Sequence, residues 1–379
     1  MLHLAPTPSP PTRLVVSEPL RVVRKLASGG MGDLYLAQQT GPGGFQRMVV
    51  VKALHAQFTD QPEFVRMFAN EAQLVGHLRH PNIIHIYELR EEPSGYVLVM
   101  EYVRGPSVLN LLRARPQGAG KALPLPAAVR IAISVAEALH HAYTECGPDG
   151  VPLRIIHRDV TLSNILVSRD GHVKLIDFGV AKALTSESMT RAGTVKGKAS
   201  YLSPEQLRNR PIDHRADQFA LAVSLWEMTV GERLFHRETE LQTLHAILHE
   251  PYPRPSTVAG DYPADLEAVV LRALAPDRDE RFADHRAFAD ALRAVARAHG
   301  WDVDAAPLAA VVAESLPEER SDTGLTFATG TSQPTPFDHE VSEPSIAVRP
   351  SPSPRWRYAV IGLMTVATAV FWLFVVPHL

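Results

Sequence analysis

Residues 155–166 read Ile-Ile-His-Arg-Asp-Val-Thr-Leu-Ser-Asn-Ile-Leu, a stretch in which apolar ends enclose charged and amide side chains. An Asp-Gly pair follows at residues 170–171, and the apolar run of residues 173–176 leads into Asp177-Phe178-Gly179. An Asp-Gly pair between two apolar runs is typical of a β-hairpin, which would bring Asp177 beside the first stretch. The sequence therefore predicts two carboxylates and an amide at one site.

These groups suit the transfer of a phosphoryl group. One carboxylate, Asp159, would orient an attacking hydroxyl group and accept its proton. Asn164 and Asp177 would hold a magnesium ion on the phosphates, because Mg²⁺ prefers oxygen ligands. The site is therefore predicted to act on a magnesium-bound phosphate group.

The same residues resemble the catalytic signature of the protein-kinase family, which is His-Arg-Asp with an Asn five residues after the Asp, followed by Asp-Phe-Gly. The matching positions are His157, Arg158, Asp159, Asn164, Asp177, Phe178 and Gly179. One motif alone would be chance or a turn, whereas both motifs in order, separated by a hairpin, are specific. The resemblance covers about residues 20–299 and implies a bilobal α+β fold, with a small five-stranded lobe carrying one helix and a large, mainly helical lobe.

The composition argues against nucleic-acid binding and against a disulfide-stabilised fold. The chain has 379 residues, of which 45% are apolar and 21% charged, the balance of an ordinary globular protein. A net charge of -3 gives no basic excess for nucleic-acid binding, and Cys146, as the only cysteine, forms no intrachain disulfide. The Pro-rich residues 1–17 show no secretory signal peptide and are predicted to be disordered.

A glycine-rich turn lies between the short apolar runs of residues 21–26 and 34–38, a pattern that predicts a strand, a turn and a strand. The turn consists of Ala27, Ser28, Gly29, Gly30, Met31 and Gly32. Glycines let backbone N–H groups approach phosphate oxygens, as in the kinase glycine-rich loop. The resemblance implies that this turn and Leu34 bind ATP, with Ala27 in place of the family's first glycine. On its own the turn fits an ordinary hairpin equally well.

A buried strand ends at Lys52, and the next predicted helix carries Glu71 on its apolar face. That helix is indicated by Pro62 near its first turn and by apolar residues at helical spacing. A lysine at the end of such a strand matches the third-strand lysine of kinases, which a helix glutamate positions on the α- and β-phosphates. Each residue alone would more often be a solvated charge, but together they predict an ion pair.

Residues 83–89 and 96–100 complete the five strands of a kinase small lobe. By resemblance, Met100 occupies the gatekeeper position. The backbone of Glu101 and Val103, in the following hinge, would hydrogen-bond the adenine of ATP. Met100 would also serve as an ordinary core methionine.

Helical patterns predict the large lobe. They comprise a long apolar helix from about Leu125 and further helices near residues 217–230, 238–248, 265–274 and 284–298. By resemblance, Asp217 ties down the backbone of the catalytic loop. Glu205 and Arg281 match the family's buried ion pair.

A polar segment between Asp177 and Glu205 resembles the kinase activation segment. Its candidate phosphorylation sites include Ser188, Thr190 and Thr194. Arg158, next to the predicted base, would bind a phosphorylated residue there, because phosphate adds a charge of roughly -1.5 to -2. An ordinary exposed polar loop is the alternative for each site.

Two positions depart from the Ser/Thr kinase pattern. Thr161 stands where the family has a lysine, two residues after the catalytic Asp, and Lys198 stands where it has a threonine, after Gly197. We hypothesise that the two residue types have exchanged places, with Lys198 supplying the cation for the transferring phosphoryl group. The alternative is that Lys198 faces solvent.

The C-terminal part of the chain has the composition of a tether followed by a membrane anchor. Residues 301–357 are rich in Pro, Ser, Thr and Glu and are predicted to be a disordered linker. Residues 358–376 carry no charge and are long enough to cross a bilayer of about 30 Å. Arg355 and Arg357 precede them, which predicts a kinase on the cytoplasmic side of the inner membrane. A buried terminal helix is the alternative.

The chain is identified as a member of the bacterial eukaryotic-like (Hanks-type) protein Ser/Thr kinases, with a kinase domain over residues 18–300 whose lobes meet after residue 102. The resemblance implies ATP and Mg²⁺, or Mn²⁺ in its place, as cofactors. It also implies protein substrates and a transient homodimer for trans-autophosphorylation. The rival readings are a pseudokinase scaffold and a small-molecule kinase.

Overall fold

An antiparallel sheet forms the first lobe of the protein. The computed structural model describes residues 16–116, 118, 120–179 and 199–316. The five strands of the lobe are β1 (Leu20–Ser28), β2 (Gly32–Thr40), β3 (Gln46–Leu54), β4 (Ile86–Glu92) and β5 (Gly95–Glu101). They lie in the order β1-β2-β3-β5-β4. The predicted five-stranded lobe is confirmed.

Strand β4 begins three residues later than predicted. Ile83 and Ile84 are apolar and buried, so the sequence pattern includes them in the strand. In the structure they pair instead with Leu175 of the second lobe, whose carbonyl accepts a hydrogen bond from the Ile84 N–H at 3.0 Å. Their burial therefore comes from an inter-lobe contact.

Two helices connect β3 to β4, where the sequence predicted one. Helix α1 (Ala56–Thr59) is a single turn, and α2 (Pro62–His77) begins with the proline that marked it in the sequence. Helix α2 buries Met67, Phe68 and Val75 on one face, together with Glu71. The glutamate thus lies on the apolar side, as its spacing predicted.

The second lobe is mainly helical. Its helices are α3 (Val108–Arg113), α4 (Leu125–Thr144), α5 (Pro204–Leu207), α6 (Arg215–Val230), α7 (Glu240–His249), α8 (Pro255–Ala259), α9 (Ala264–Ala273), α10 (His285–Ala298) and α11 (Ala305–Ser315). Helix α4 lies at the centre and packs against α6 and α10. A two-stranded hairpin of β6 (Ile165–Val167) and β7 (Val173–Leu175) pairs as predicted, with the Asp-Gly pair in its turn.

Helix α11 corrects the prediction that residues 301–357 form a disordered linker, because residues 301–316 belong to the folded domain. Leu308, Val311 and Val312 are buried in the core of the large lobe, at the i, i+3, i+4 spacing of one helix face. An isolated helix of eleven residues is marginal in water, so this helix depends on packing that its sequence does not reveal.

Two further contacts join α11 to the lobe. The Ala305 carbonyl lies so close to Gly171, in the hairpin turn, that any side chain at residue 171 would clash with it. Arg115 Nη1 lies 3.0 Å from Glu314 Oε2. The helix therefore braces the hairpin from outside, and the folded domain extends beyond the predicted boundary at residue 300.

Among the described residues, no helix is both long and apolar enough to cross a membrane. The predicted membrane helix, at residues 358–376, lies outside the described residues. So do residues 1–15 and the remainder of the predicted linker.

Replacing Leu308 with alanine is expected to lower the free energy of unfolding by about 2–5 kcal/mol, because the side chain is fully buried and its removal leaves a cavity. Leu241→Ala is the matched control, since Leu241 is 77% exposed. Urea unfolding of both variants measures the difference. Equal midpoints would show that α11 is not part of the cooperative fold.

Candidate active site

Lys52, in strand β3, lies between two carboxylates. Its Nζ is 3.2 Å from Glu71 Oε1 on α2 and 3.0 Å from Asp177 Oδ1 after β7. Burial lowers the pKa of Lys52, but the charges of Asp177 and Glu71 outweigh this effect and raise it overall. Burial also raises the pKa of Glu71, which Lys52 opposes. The structure thus brings the two residues of the predicted ion pair together and adds Asp177.

Asp217, near the start of α6, holds the backbone of the catalytic loop. Its Oδ2 accepts a hydrogen bond from the His157 N–H at 2.6 Å, and its Oδ1 accepts one from the Arg158 N–H at 2.8 Å. Arg158 has a φ of 62°, a left-handed conformation that a non-glycine residue keeps only when its surroundings enforce it. Burial raises the pKa of Asp217 to about 7, although both N–H donors and Arg158 lower it.

Asn164 is oriented by the predicted base. Its Nδ2 donates hydrogen bonds to the Asp159 carbonyl at 2.8 Å and to Asp159 Oδ2 at 3.0 Å. Both residues are buried. With Nδ2 committed to Asp159, the other polar atom of the amide is the acceptor Oδ1, which is the atom type that a magnesium ion requires.

The hairpin β6–β7 brings Asn164 and Asp177 to the same end of the structure. Asn164 directly precedes β6, Asp177 follows β7, and the Ile176 N–H donates to the Asn164 carbonyl at 2.9 Å. Asp177 has a φ of 55°, again in the left-handed region. The neighbouring Phe178 is buried, with its ring centroid 4.4 Å from that of His157.

The donor set fits magnesium better than a dedicated protein metal centre. No group of three or more His, Cys, Asp or Glu side chains with metal-binding geometry occurs in the described part of the chain. A carboxylate from Asp177 and an amide oxygen from Asn164 are typical of Mg²⁺, which takes one or two protein ligands and completes its shell with phosphates and water. Manganese accepts the same oxygen ligands.

The glycine-rich turn closes the end of the β1–β2 hairpin. The Gly29 N–H donates to the Gly32 carbonyl at 2.8 Å, and Ala27 and Ser28 pair with Leu34 and Asp33. Gly30 and Met31 form the tip between the strands.

The hinge follows directly from β5. Met100 and Glu101 end that strand, and Val103 comes two residues later. The Glu101 carboxylate accepts a hydrogen bond from Lys174 Nζ at 2.8 Å, which ties the hinge to β7.

An apolar cluster fills the space between the small-lobe sheet and the hairpin. It contains Leu26, Val50, Met100, Val103, Leu166 and Ile176, with Leu34 packed at its edge. Of these, sequence reasoning named Met100, Val103 and Leu34 and missed the other four. Alternation along β1, β3 and β6 shows that such residues are buried but not which cluster they join.

Four of the predicted site residues, Ser188, Thr190, Thr194 and Lys198, lie outside the described residues. Thr161 is described and buried, and its Oγ1 has no hydrogen-bond partner among the described residues. The Glu205–Arg281 pair is present, with two contacts of 2.8 and 2.9 Å between buried side chains.

The family model for the protein kinase domain matches residues 20–292. The chain belongs to the protein kinase family. Its two lobes are therefore the lobes of a kinase, and the paired strands 165–167 and 173–175 lie between the two motifs, His157-Arg158-Asp159 and Asp177-Phe178-Gly179.

Several curated proteins are similar to this kinase chain. It is 41% identical over 305 residues to tyrosine-protein kinase MasK of Myxococcus xanthus, a match that covers 80% of this chain and 47% of that protein. It is 36% identical over 284 residues to serine/threonine-protein kinase Pkn1 of Myxococcus xanthus, covering 74% of this chain and 38% of Pkn1. The chain therefore spans about half, or less, of the length of these relatives.

A solved structure is similar to the described fold. The crystal structure of the Mycobacterium tuberculosis PknI kinase domain is 28% identical, with a TM-score of 0.57. The match covers 75% of this chain and 98% of that domain. Its extent agrees with a single kinase domain in the first three quarters of the chain.

Replacing Asp217 with asparagine is expected to lower kcat roughly tenfold to hundredfold, because the amide offers one acceptor to two N–H donors and loses the charge. The KM for ATP should change less than kcat, since Asp217 holds the backbone of His157 and Arg158, whereas the phosphate contacts are assigned to Lys52 and the glycine-rich turn. Steady-state kinetics measure both constants. Asp290→Asn, at a side chain that is 63% exposed, is the control, and equal kcat values in the two variants would contradict the assigned role.

Proposed function

We propose that this chain is an ATP-dependent protein serine/threonine kinase. The observation that carries the proposal is the joint placement of Lys52, Glu71 and Asp177 in one ionic cluster, with Asp159 and Asn164 hydrogen-bonded beside it. Membership of the protein kinase family supports it. The kinases named among the relatives include both serine/threonine and tyrosine types, so the acceptor is part of the proposal.

The residues divide the work between binding and proton transfer. Lys52, held by Glu71, would neutralise the α- and β-phosphates of ATP, and the backbone of the glycine-rich turn would cover them. Magnesium, bound to Asn164 and Asp177 when present, supplies positive charge to the phosphates. Asp159 would orient the hydroxyl group of the protein substrate and accept its proton as the γ-phosphoryl group is transferred.

The rival function is that of a pseudokinase, which would bind nucleotide or partners without turnover. Such a scaffold has no need to keep the base and both metal-binding residues in place. Here all three residues are present: Asn164 donates to Asp159, and Ile176, which precedes Asp177, donates to the Asn164 carbonyl. A small-molecule kinase is a weaker alternative, because the buried Glu205–Arg281 pair anchors the end of a protein-kinase activation segment.

Asp159→Asn is expected to lower the rate of phosphoryl transfer at least about a hundredfold while leaving nucleotide affinity nearly intact, because the base contributes to chemistry and not to binding. Asp177→Ala should abolish magnesium-dependent nucleotide binding. Calorimetry with MgADP and mass spectrometry after incubation with MgATP measure the two effects. Wild-type turnover in Asp159→Asn would refute the assignment of the base.

The same mass spectra identify the acceptor. Phosphoserine and phosphothreonine support the proposal, whereas phosphotyrosine alone would place the chain with the tyrosine kinases. No phosphorylation by wild-type protein on itself or a generic protein substrate would favour the pseudokinase.

We further propose that residues 358–376 anchor the kinase in the cytoplasmic membrane, with the catalytic domain in the cytoplasm. The support is the uncharged run of nineteen residues and the flanking Arg355 and Arg357. Confinement raises the effective concentration of one kinase for another. Truncation after Leu316 should therefore keep kcat but slow trans-autophosphorylation in dilute solution, relative to full-length protein in liposomes. Equal concentration dependence would count against an anchor.

We also propose that phosphorylation of the activation segment regulates the kinase. Phosphorylation of Ser188, Thr190 or Thr194 would give Arg158 an anionic partner in the activation segment. The buried Thr161 hydroxyl without a described partner is consistent with Lys198 and Thr161 having exchanged roles.

If the exchange is real, Lys198→Thr and Thr161→Lys should each lower kcat, and the double variant should recover much of the loss. The cycle is measured by steady-state kinetics on protein of matched phosphorylation. Additive losses would rule the exchange out.

A further inference from the structure

The Asp33 carboxylate lies directly after the glycine-rich turn and is contacted by four side-chain donors. Ser28 Oγ lies 2.7 Å and His55 Nε2 3.1 Å from Asp33 Oδ1. Lys25 Nζ lies 2.8 Å and Tyr35 Oη 3.2 Å from Oδ2. A carboxylate has about four lone-pair sites, so each oxygen is shared by two donors and the group is saturated.

These partners come from every strand that borders the glycine-rich turn. Lys25 and Ser28 belong to β1, Tyr35 to β2, and His55 immediately follows β3. Ser28 and Asp33 are also cross-strand neighbours at the base of the turn. The Asp33 carboxylate therefore closes the base and joins it to His55, in addition to the backbone pairing of Gly32 and Asp33 with Leu54 and Ala53 of β3.

The backbone reinforces the same connection. The His55 N–H donates to the Met31 carbonyl, at the tip of the turn, with a distance of 3.0 Å. Gly32 lies so close to the Ala53 carbonyl that a side chain there would collide with β3. His55 thus holds the turn through its backbone and holds Asp33 through its ring.

Asp33 remains ionised throughout the physiological range. Burial, the largest single effect, raises its pKa, but the hydrogen bonds from Lys25, Ser28 and His55 together outweigh it and lower the pKa to about 2. Because the folded-state pKa is depressed, the stabilisation is fully present above about pH 4 and is lost only as the pH falls toward 2. The Asp33 carboxylate is therefore a charged acceptor over the physiological pH range.

We propose that Asp33 is a positioning residue that clamps the glycine-rich turn over the nucleotide phosphates and thereby limits the rate at which nucleotide leaves. The proposal rests on the proposed function for the identity of the ligand, a magnesium-bound adenine nucleotide. Asp33 acts through the turn and does not touch the phosphates. The turn lifts only when the base opens, and opening breaks contacts to a saturated carboxylate.

The contacts also predict which partners of Asp33 matter most for holding the turn. Ser28 and His55 share Oδ1 and connect the turn's base to β3, whereas Lys25 is 45% exposed and reaches Oδ2 from the surface. Loss of the His55 ring should therefore loosen the turn more than loss of Lys25. His55→Gln, which keeps a side-chain N–H donor, should restore part of what His55→Leu loses.

The experiment compares Asp33→Asn with wild type and with Asp60→Asn, an exposed acid of the small lobe outside the network. Hydrogen–deuterium exchange of the nucleotide-free protein reports on amides 29–32. Stopped-flow release of a fluorescent ADP, with Mg²⁺, reports on the ligand. Asp33→Asn should speed both exchange at these amides and ADP release about threefold to tenfold, as loss of one or two ordinary hydrogen bonds predicts. Asp60→Asn should match wild type.

A positioning role also predicts a pattern that general destabilisation does not give. Asp33→Asn should raise the KM for ATP with kcat unchanged or higher, and His55→Leu should add nothing in the Asp33→Asn background. A lower melting temperature with unchanged exchange at residues 29–32 would overturn the inference. So would ADP release equal to that of Asp60→Asn. Failure of wild type to bind the nucleotide would refute the proposed function instead, and the exchange measurement would still decide whether Asp33 clamps the turn.

Discussion

The ammonium group of Lys52 is the constraint on which the arrangement of the site depends. It is largely buried, and a buried charge is tolerated only when opposite charges accompany it. Glu71 comes from α2 and Asp177 from the end of the β6–β7 hairpin, so three separate elements meet at one nitrogen. Displacing the Lys52 strand would leave two carboxylates without this cation, and displacing either carboxylate would remove one of the two charges that compensate the buried ammonium group. The ion pairs therefore fix β3, α2 and the β6–β7 hairpin relative to one another.

In the large lobe, buried polar contacts fix the backbone of the catalytic loop and of the Asp-Phe-Gly motif. The catalytic loop contains a residue with left-handed backbone geometry, Arg158, and the Asp-Phe-Gly motif contains another, Asp177. Such residues cost roughly 1–3 kcal/mol each and persist only where the surroundings fix them. The Asp217 carboxylate fixes the first by binding two consecutive N–H groups. The His157 carbonyl, which accepts from the Gly179 N–H, connects the second to the same loop.

Two segments at the edges of the domain, helix α11 and the glycine-rich turn, are positioned by contacts with other elements. Helix α11 is folded because Leu308 and its neighbours find space on the large lobe, and its N-terminus presses on the hairpin that delivers Asn164 and Asp177. The glycine-rich turn contacts the β3–α1 connection through the Met31 carbonyl and through the Asp33 carboxylate, which reaches His55, 22 residues away in the chain. In both places, a segment acquires a defined position from contacts with other elements.

The sequence by itself predicted the family, the five strands, the main helices and the candidate site residues Lys52, Glu71, Asp159, Asn164 and Asp177. It could do so because strand and helix periodicity and the kinase motifs are local patterns, legible within a few residues. Only the tertiary structure decided that Lys52 contacts both carboxylates, that Ile83 pairs with Leu175, that α11 is part of the domain and that Asp33 gathers four partners. The first three depend on the distance between residues far apart in the chain, and the fourth on how the side chains of neighbouring strands are directed. Local periodicity carries no information about either.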